Sequence, residues 1–196
     1  MCQEYKKWRN MKIEEIDLGS LSYPYTLSNI YLPPKKLYVV GNKEILREKI
    51  IAIVGTREPS TYGLKVAKEL AYFLAKQNII TVSGLARGID SACHIGTILG
   101  KGRTIAVVAH GLDMIYPKEN TRLASEIVKN GGAIVSEYKL GEKPSKEKFP
   151  KRNRIISGLA KSIVIVEAKR KSGALITANF GLEQGKDIYA VPRKYL

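Results

Sequence analysis

The chain has few of the residues from which redox, metal or hydrolytic centres are usually built. Only Cys2 and Cys93 occur among 196 residues, so no disulfide framework is available and a reducing compartment is expected. The histidines are His94 and His110. A catalytic zinc site wants three well-spaced protein ligands, and the adjacent Cys93 and His94 would leave a helix in different directions. No metal and no other cofactor is expected. Charges or glycines interrupt every hydrophobic run before it reaches bilayer length. The opening "MCQEYKKWRNMKIEEIDLGS" has no apolar stretch of the kind a signal peptide needs. These absences point to a soluble, cytoplasmic protein with no membrane partner. Acidic residues are also scarce: 18 Asp plus Glu stand against 33 Lys plus Arg, a formal net charge of +15. That balance favours a polyanionic partner such as nucleic acid.

Two familiar nucleotide motifs are missing as well. The glycines of "VGTREPSTYG" do not fall as G-x-G-x-x-G, and the next strand ends in "VSGLARG" without an acid for a ribose, so a nicotinamide enzyme is not expected. In "GTILGKGRT" a glycine, Gly102, follows Lys101 where a Walker loop needs Ser or Thr, which argues against ATP hydrolysis.

What the chain does have is a regular alternation. With 44% hydrophobic residues it can bury the core of one sizeable domain. From Lys49 onward, "KIIAIV", "IITVS", "RTIAVVA", "GAIVSE", "SIVIVEA" and "KDIYAVP" are short Ile- and Val-rich runs, apolar on both faces as buried parallel strands require. Thr61 to Gln77 sets Val66, Leu70, Phe73 and Leu74 at helical spacing. Shorter helices are expected at 90–99, 120–130, 152–160 and 173–184. The fold class is therefore α/β: an extended Rossmann-like, mainly parallel sheet with helices on both faces. Residues 1–40 read as a short N-terminal extension in which Pro33 and Pro34 lead into an edge strand at Leu37 to Val40, and 41–196 as the main domain. Ligands of such sheets bind beyond the carboxyl ends of the strands.

Several strand-end loops carry anion-binding chemistry. Gly55, Arg57 and the helix start at Ser60 or Thr61 could hold a phosphate, as could Gly84, Arg87 and Gly88 of "SGLARGID", with Asp90 as a helix cap. The stretch "FPKRNRIISGL" places Lys151, Arg152 and Arg154 around Asn153 just ahead of apolar residues. Asp90, Asp113, Glu137 and Glu167 are the carboxylates from which a hydrolytic pair could be assembled, but no spacing forces any two together.

In order along the chain, "LPPKKLYVVGN", "IAIVGTREPSTYG", "SGLARGID", "GLDMIYPKEN", "GGAIVSEY", "FPKRNRIISGL", "IVIVEAKRKSGALITA" and "IYAVP" resemble the DNA-processing protein A family, also called DprA or Smf. The resemblance runs from about Leu32 to Pro192. It implies a Rossmann-like domain that binds single-stranded DNA without catalytic turnover, forms a homodimer, and assists loading of a RecA-family recombinase in DNA uptake or recombination. It also implies a DNA pocket lined by Arg57, Gly141, Lys146, Phe149, Arg152, Asn153 and Arg154, with Ser172 and Gly173 close by. Arg57, Lys146, Arg152 and Arg154 would meet phosphates, Phe149 would support a base, and Asn153 would orient phosphate or base edges. Family members commonly carry an N-terminal helical module and a C-terminal winged-helix-like module. Met1 to Ser20 is short for the first and the six residues after Ala190 leave no room for the second, so the central domain alone is expected. "VAHGLD" and "VPRKYL" also depart from the family pattern. The competing account is a Rossmann-like hydrolase of nucleotide glycosidic bonds, whose "PGGxGT" loop is absent here.

Overall fold

The computed structural model describes Trp8, residues 11–170 and residues 172–192; Cys2 and the "RKYL" ending lie outside the described residues. The chain begins with β1 (Ile13–Asp17), α1 (Tyr25–Ser28) and β2 (Lys36–Gly41). Strands and helices then alternate: β3 (Ile50–Val54), α2 (Thr61–Lys76), β4 (Ile80–Ser83), α3 (Ile89–Leu99) and β5 (Thr104–Val107). The second half comprises α4 (Thr121–Lys129), β6 (Ala133–Ser136), α5 (Lys148–Leu159), β7 (Ser162–Ile165), α6 (Gly173–Glu183) and β8 (Asp187–Ala190). All six expected Ile- and Val-rich strands and all five expected helices of the main segment form. Among the described residues no helix is long and apolar enough to cross a membrane.

One eight-stranded sheet joins them in the order β1-β2-β6-β5-β4-β3-β7-β8. The six strands from β6 to β8 are parallel, while β2 runs antiparallel to β6 and β1 antiparallel to β2. The strand expected at Leu37 to Val40 thus lies one place in from the edge, and "IEEID" occupies the edge itself. That strand has little sequence signal because it buries only Ile16, so neither alternation nor an apolar run marks it.

Successive strand residues point to opposite faces, and the core divides accordingly. Ile50, Ala52 and Val54 of β3 pack with Ile155, Ile156, Leu159 and Ala174 under α5 and α6. Ile53 packs on the other side with Ala67, Ala71, Ile89 and Cys93 of α2 and α3. The N-terminal segment is tied to the same body: Trp8 is buried and its indole N–H donates to the Leu112 carbonyl at 2.8 Å, and Leu27 of α1 packs against Gly158 of α5.

The strand order reverses beside β3. The chain steps outward from β3 through β4, β5 and β6, then returns to the far side of β3 as β7 and β8. Loops leaving β3 and β7 therefore diverge to opposite faces and leave a crevice between them, the topological switch point at which open α/β sheets bind ligands.

Candidate functional site

A cleft of about 660 Å³ lies at this switch point. Its walls come from the β3–α2 loop (Gly55, Thr56, Arg57), the β6–α5 loop and the start of α5 (Lys146, Phe149, Arg152, Asn153), and the β7–α6 loop (Lys169, Arg170, Ser172, Gly173). Seven of the eleven residues singled out in the sequence line it: Arg57, Lys146, Phe149, Arg152, Asn153, Ser172 and Gly173. The structure does not bring the other four to its surface.

The "FPKRNR" stretch is helical rather than a loop ahead of a helix. Helix α5 starts at Lys148, because Pro150 falls in its first turn, where a missing backbone N–H leaves no internal hydrogen bond unmade. Its side chains consequently radiate at helical spacing and take different roles. Phe149 faces the cleft, with the Arg57 guanidinium 5.2 Å from its ring centroid and the Tyr116 ring 5.9 Å away. Lys151 is exposed and outside the cleft.

Arg152 turns inward and is 5% exposed. Its Nη1 donates to the carbonyl of Gly84 at 2.7 Å and to that of Val107, tying the ends of β4 and β5 together, and its Nε donates to Asn153 at 3.1 Å. Asn153 passes the link on, donating to the Gly173 carbonyl at 3.0 Å at the start of α6. Burial lowers Arg152 to about 10 against the opposing charge of Asp90, so it stays cationic at neutral pH and forms a charged floor beneath the cleft. Burial likewise raises the Asp90 carboxyl, opposed by Arg152.

Gly84 lies under this floor, because a Cβ there would stand 2.6 Å from an Asp90 oxygen and 2.7 Å from Arg152 Nη2. Arg87 projects to solvent and pairs with Glu119. Arg154 pairs with Glu137 at 2.5 Å, both side chains being 16% exposed. Gly141 sits in the open β6–α5 loop at φ +83° and donates its N–H to Asp113 at 2.8 Å.

Two backbone cradles expected from sequence are filled by the chain itself. Glu167, on the loop after β7, accepts from both the backbone N–H and the hydroxyl of Ser60, the residue that caps α2. Its carboxylate therefore takes the place an anion would occupy at that helix end. Asp90 does not cap α3; it reaches back to accept from the N–H groups of Gly84 and Ala86 at 3.1 and 3.3 Å. All four carboxylates considered for hydrolysis are thus committed: Asp90 and Glu167 to these loops, Glu137 to Arg154, and Asp113 to Gly141. Among the described residues no group of three or more His, Cys, Asp or Glu is placed to hold a metal ion.

What remains available to a ligand is cationic and aromatic. Arg57, Lys146 and Arg170 line the cleft and make no ion pair within 4.0 Å among the described residues, whereas Lys169 pairs with Glu58. The N-terminus of α6 opens into the same space: Ser172 makes no side-chain cap, and its hydroxyl is buried without a partner. Tyr116 was missed in the sequence; its ring is 47% exposed and lines the cleft beside Phe149. His110 holds it there, accepting from the Tyr116 N–H through Nε2 at 3.2 Å and donating from Nδ1 to the Gly111 carbonyl at 3.0 Å. The only sequence sign of this was a tyrosine in "GLDMIYPKEN", in the loop between β5 and α4 and far along the chain from Phe149.

A family model described as DNA recombination-mediator protein A matches residues 15–196. The DNA processing protein DprA of Bacillus subtilis (strain 168) is 44% identical over 186 residues, covering 94% of this chain and 62% of that protein. The X-ray structure of DNA processing protein A from Streptococcus pneumoniae superposes with a TM-score of 0.88 at 40% identity, covering 97% of this chain and 66% of the other. A structure of DNA processing protein A from Helicobacter pylori, described by its unique single-stranded DNA binding mode, superposes with a TM-score of 0.86 at 32% identity, covering 95% of this chain and 83% of the other. The chain spans about three-fifths of the length of the DprA proteins of Bacillus subtilis and Streptococcus pneumoniae that it matches.

Proposed function

The chain belongs to the DNA recombination-mediator protein A family, and from that premise we propose that its switch-point cleft binds single-stranded DNA. The observation that carries this reading is the Arg57–Phe149–Tyr116 ledge bordered by unpaired cations. A π-face takes any unstacked base, and flanking cations take the backbone, which is the chemistry of sequence-tolerant single-strand binding. Arg57, Lys146 and Arg170 contact phosphates, and the free N–H groups at the start of α6 with the Ser172 hydroxyl add a further anion seat. Arg152 and Asn153 act from beneath, holding β4, β5 and α6 in register while Arg152 contributes its charge to the floor. Arg154, Arg87, Gly84 and Gly141 shape the surrounding loops and stand farther from the strand.

The committed carboxylates support binding and hand-over rather than hydrolysis. In this reading the bound strand passes to a RecA-family recombinase, and the protein works as a homodimer in DNA uptake or recombination. The outer edge of β8, with Tyr189 and Leu182 exposed, is a surface on which a second copy could pair. In this reading the 41–196 segment carries the cleft, and β1 and β2 of the N-terminal extension add two strands to its sheet.

Fluorescence anisotropy with single-stranded and duplex oligonucleotides across a salt series tests the central claim. Three backbone contacts give a slope of log affinity against log salt of at least about −2, at ~0.7 per neutralised single-strand phosphate. Preference for duplex, or a slope near zero, would remove it.

A further inference from the structure

A second cavity, of about 500 Å³, opens on the same carboxyl edge of the sheet as the cleft, toward its antiparallel end. Lys35, Lys36 and Tyr38 border it from β2 and the residue before it, and Glu137, Lys139 and Glu142 from the β6–α5 loop. Because β2 is antiparallel to β6, with Tyr38 opposite Ser136, the start of β2 and the end of β6 meet at this edge.

The balance of charge in the cavity is decided by which groups are already answered. Glu137 is paired with Arg154, and Glu142 with Lys148 at 2.9 Å; both cations come from α5, outside the cavity. Lys36 pairs with Glu15. Lys35 and Lys139 are exposed and make no ion pair within 4.0 Å among the described residues. The lining therefore holds Lys35 and Lys139 with no ion-pair partner within 4.0 Å among the described residues, together with the buried Tyr38. Three lysines line it against two glutamates, and both glutamates are held by cations of α5.

It is also joined to the cleft. The β6–α5 loop lines the cavity through Lys139 and Glu142 and the cleft through Lys146. Lys143, between them, is exposed and forms no ion pair within 4.0 Å among the described residues. Lys148 adjoins Phe149, and its ammonium bonds to Glu142 and lies 4.6 Å from the Tyr138 ring centroid. From β3, whose following loop bears Arg57, to β2, which follows Lys35, is four strand spacings in the sheet, or ~19 Å at ~4.8 Å each. A stacked single strand covers that in about five or six nucleotides at ~3.4 Å per residue.

We propose that this cavity is a second phosphodiester subsite, in which Lys35 and Lys139 hold the backbone of a single strand that leaves the cleft over the β6–α5 loop toward β2. The inference rests on the cleft being a single-stranded DNA site, and it assigns the direction in which the strand runs across the molecule: away from β8 and toward the N-terminal strands.

The test is the salt dependence of binding of fluorescent dT15 to the full chain. Five phosphate contacts give a slope near −3.5, and the double variant K35A/K139A removes two, so its slope falls to about −2.1. A charge-matched control, K49A/K161A, removes two exposed lysines just before β3 and β7, at the opposite edge of the sheet, and keeps the wild-type slope. Circular dichroism verifies that both variants are folded. An unchanged slope in K35A/K139A, or an equal fall in the control, overturns the subsite while leaving the cleft intact. Failure of the wild-type chain to bind dT15 overturns the cleft reading itself, and the subsite with it.

Discussion

Replacement of Phe149 by alanine separates stacking from charge at the cleft. The ring sits between the Arg57 guanidinium at 5.2 Å and the Tyr116 ring at 5.9 Å. In the proposed single-strand reading its removal deletes a base-stacking platform, worth ~1–3 kcal/mol per base, and with it the cation–π seat of Arg57, worth ~0.5–1 kcal/mol at an exposed site. At ~1.4 kcal/mol per tenfold, affinity for an oligo-dT should fall roughly ten- to several-hundred-fold. No phosphate contact is deleted, so the salt slope should change by less than one phosphate equivalent, ~0.7. Lys146→Ala should do the opposite: a slope shallower by ~0.7, with a loss that shrinks as salt rises. Phe149→Trp should retain binding and Phe149→Leu should not, because leucine fills space without offering a π-face. Anisotropy titrations of the four variants at several salt concentrations read all of this. Wild-type affinity in Phe149→Leu would refute the stacking role and leave Phe149 as a packing residue.

Other perturbations reach the scaffold rather than the strand. Arg152→Met should leave the carbonyls of Gly84 and Val107 without their donor and Asp90 without the charge that opposes its burial, and should destabilise the fold by ~1–3 kcal/mol, so urea unfolding should shift where Lys146→Ala does not. Gly84→Ala would drive a methyl into Asp90 and Arg152 and should cost ~1–3 kcal/mol in the same assay. Glu167→Ala removes the acceptor of Ser60 at the start of α2 and should cost ~0.5–2 kcal/mol, as the loss of a helix cap does. His94 is fully buried, with Nδ1 2.8 Å from the Thr104 hydroxyl and Nε2 unpartnered, and burial lowers it to about 3. Its folded value lies below its unfolded one, so the unfolded chain takes up the proton first. The stability it confers is complete above the unfolded value near 6.5 and declines as pH falls toward 3, by up to ~1.4 kcal/mol per pH unit. Urea midpoints of wild type and His94→Gln between pH 7.5 and 4.5 should converge on acidification; parallel curves would rule the histidine out.

Much of this molecule is legible in its sequence, and for identifiable reasons. The parallel strands announce themselves because burial on both faces demands unbroken Ile and Val, as in "KIIAIV" and "SIVIVEA". The helices follow from apolar residues at helical spacing, and the net charge of +15 is an additive property that folding does not alter. Seven of the residues named from the sequence line the cleft: charge at strand-end loops pointed to residues such as Arg57 and Arg152, and the family resemblance supplied Lys146, Phe149, Ser172 and Gly173. Tertiary structure alone decided how the cations divide. Arg57, Arg152 and Arg154 look alike in the chain, yet one lies over Phe149, one ties β4 to β5 from beneath, and one pairs with Glu137. Pro150 falling within the first turn of α5 sets those directions, and no pattern of charge along the chain encodes them. The strand order, too, depends on which edges pair across long separations: β7 returning to the far side of β3 opens the crevice, and β2 set antiparallel against β6 brings Lys35 and Lys139 to the lining of one cavity. Composition and spacing determine which elements exist and what charge they carry. Where each charge is left unanswered depends on contacts between residues far apart in the chain, and those exist only once the sheet has formed.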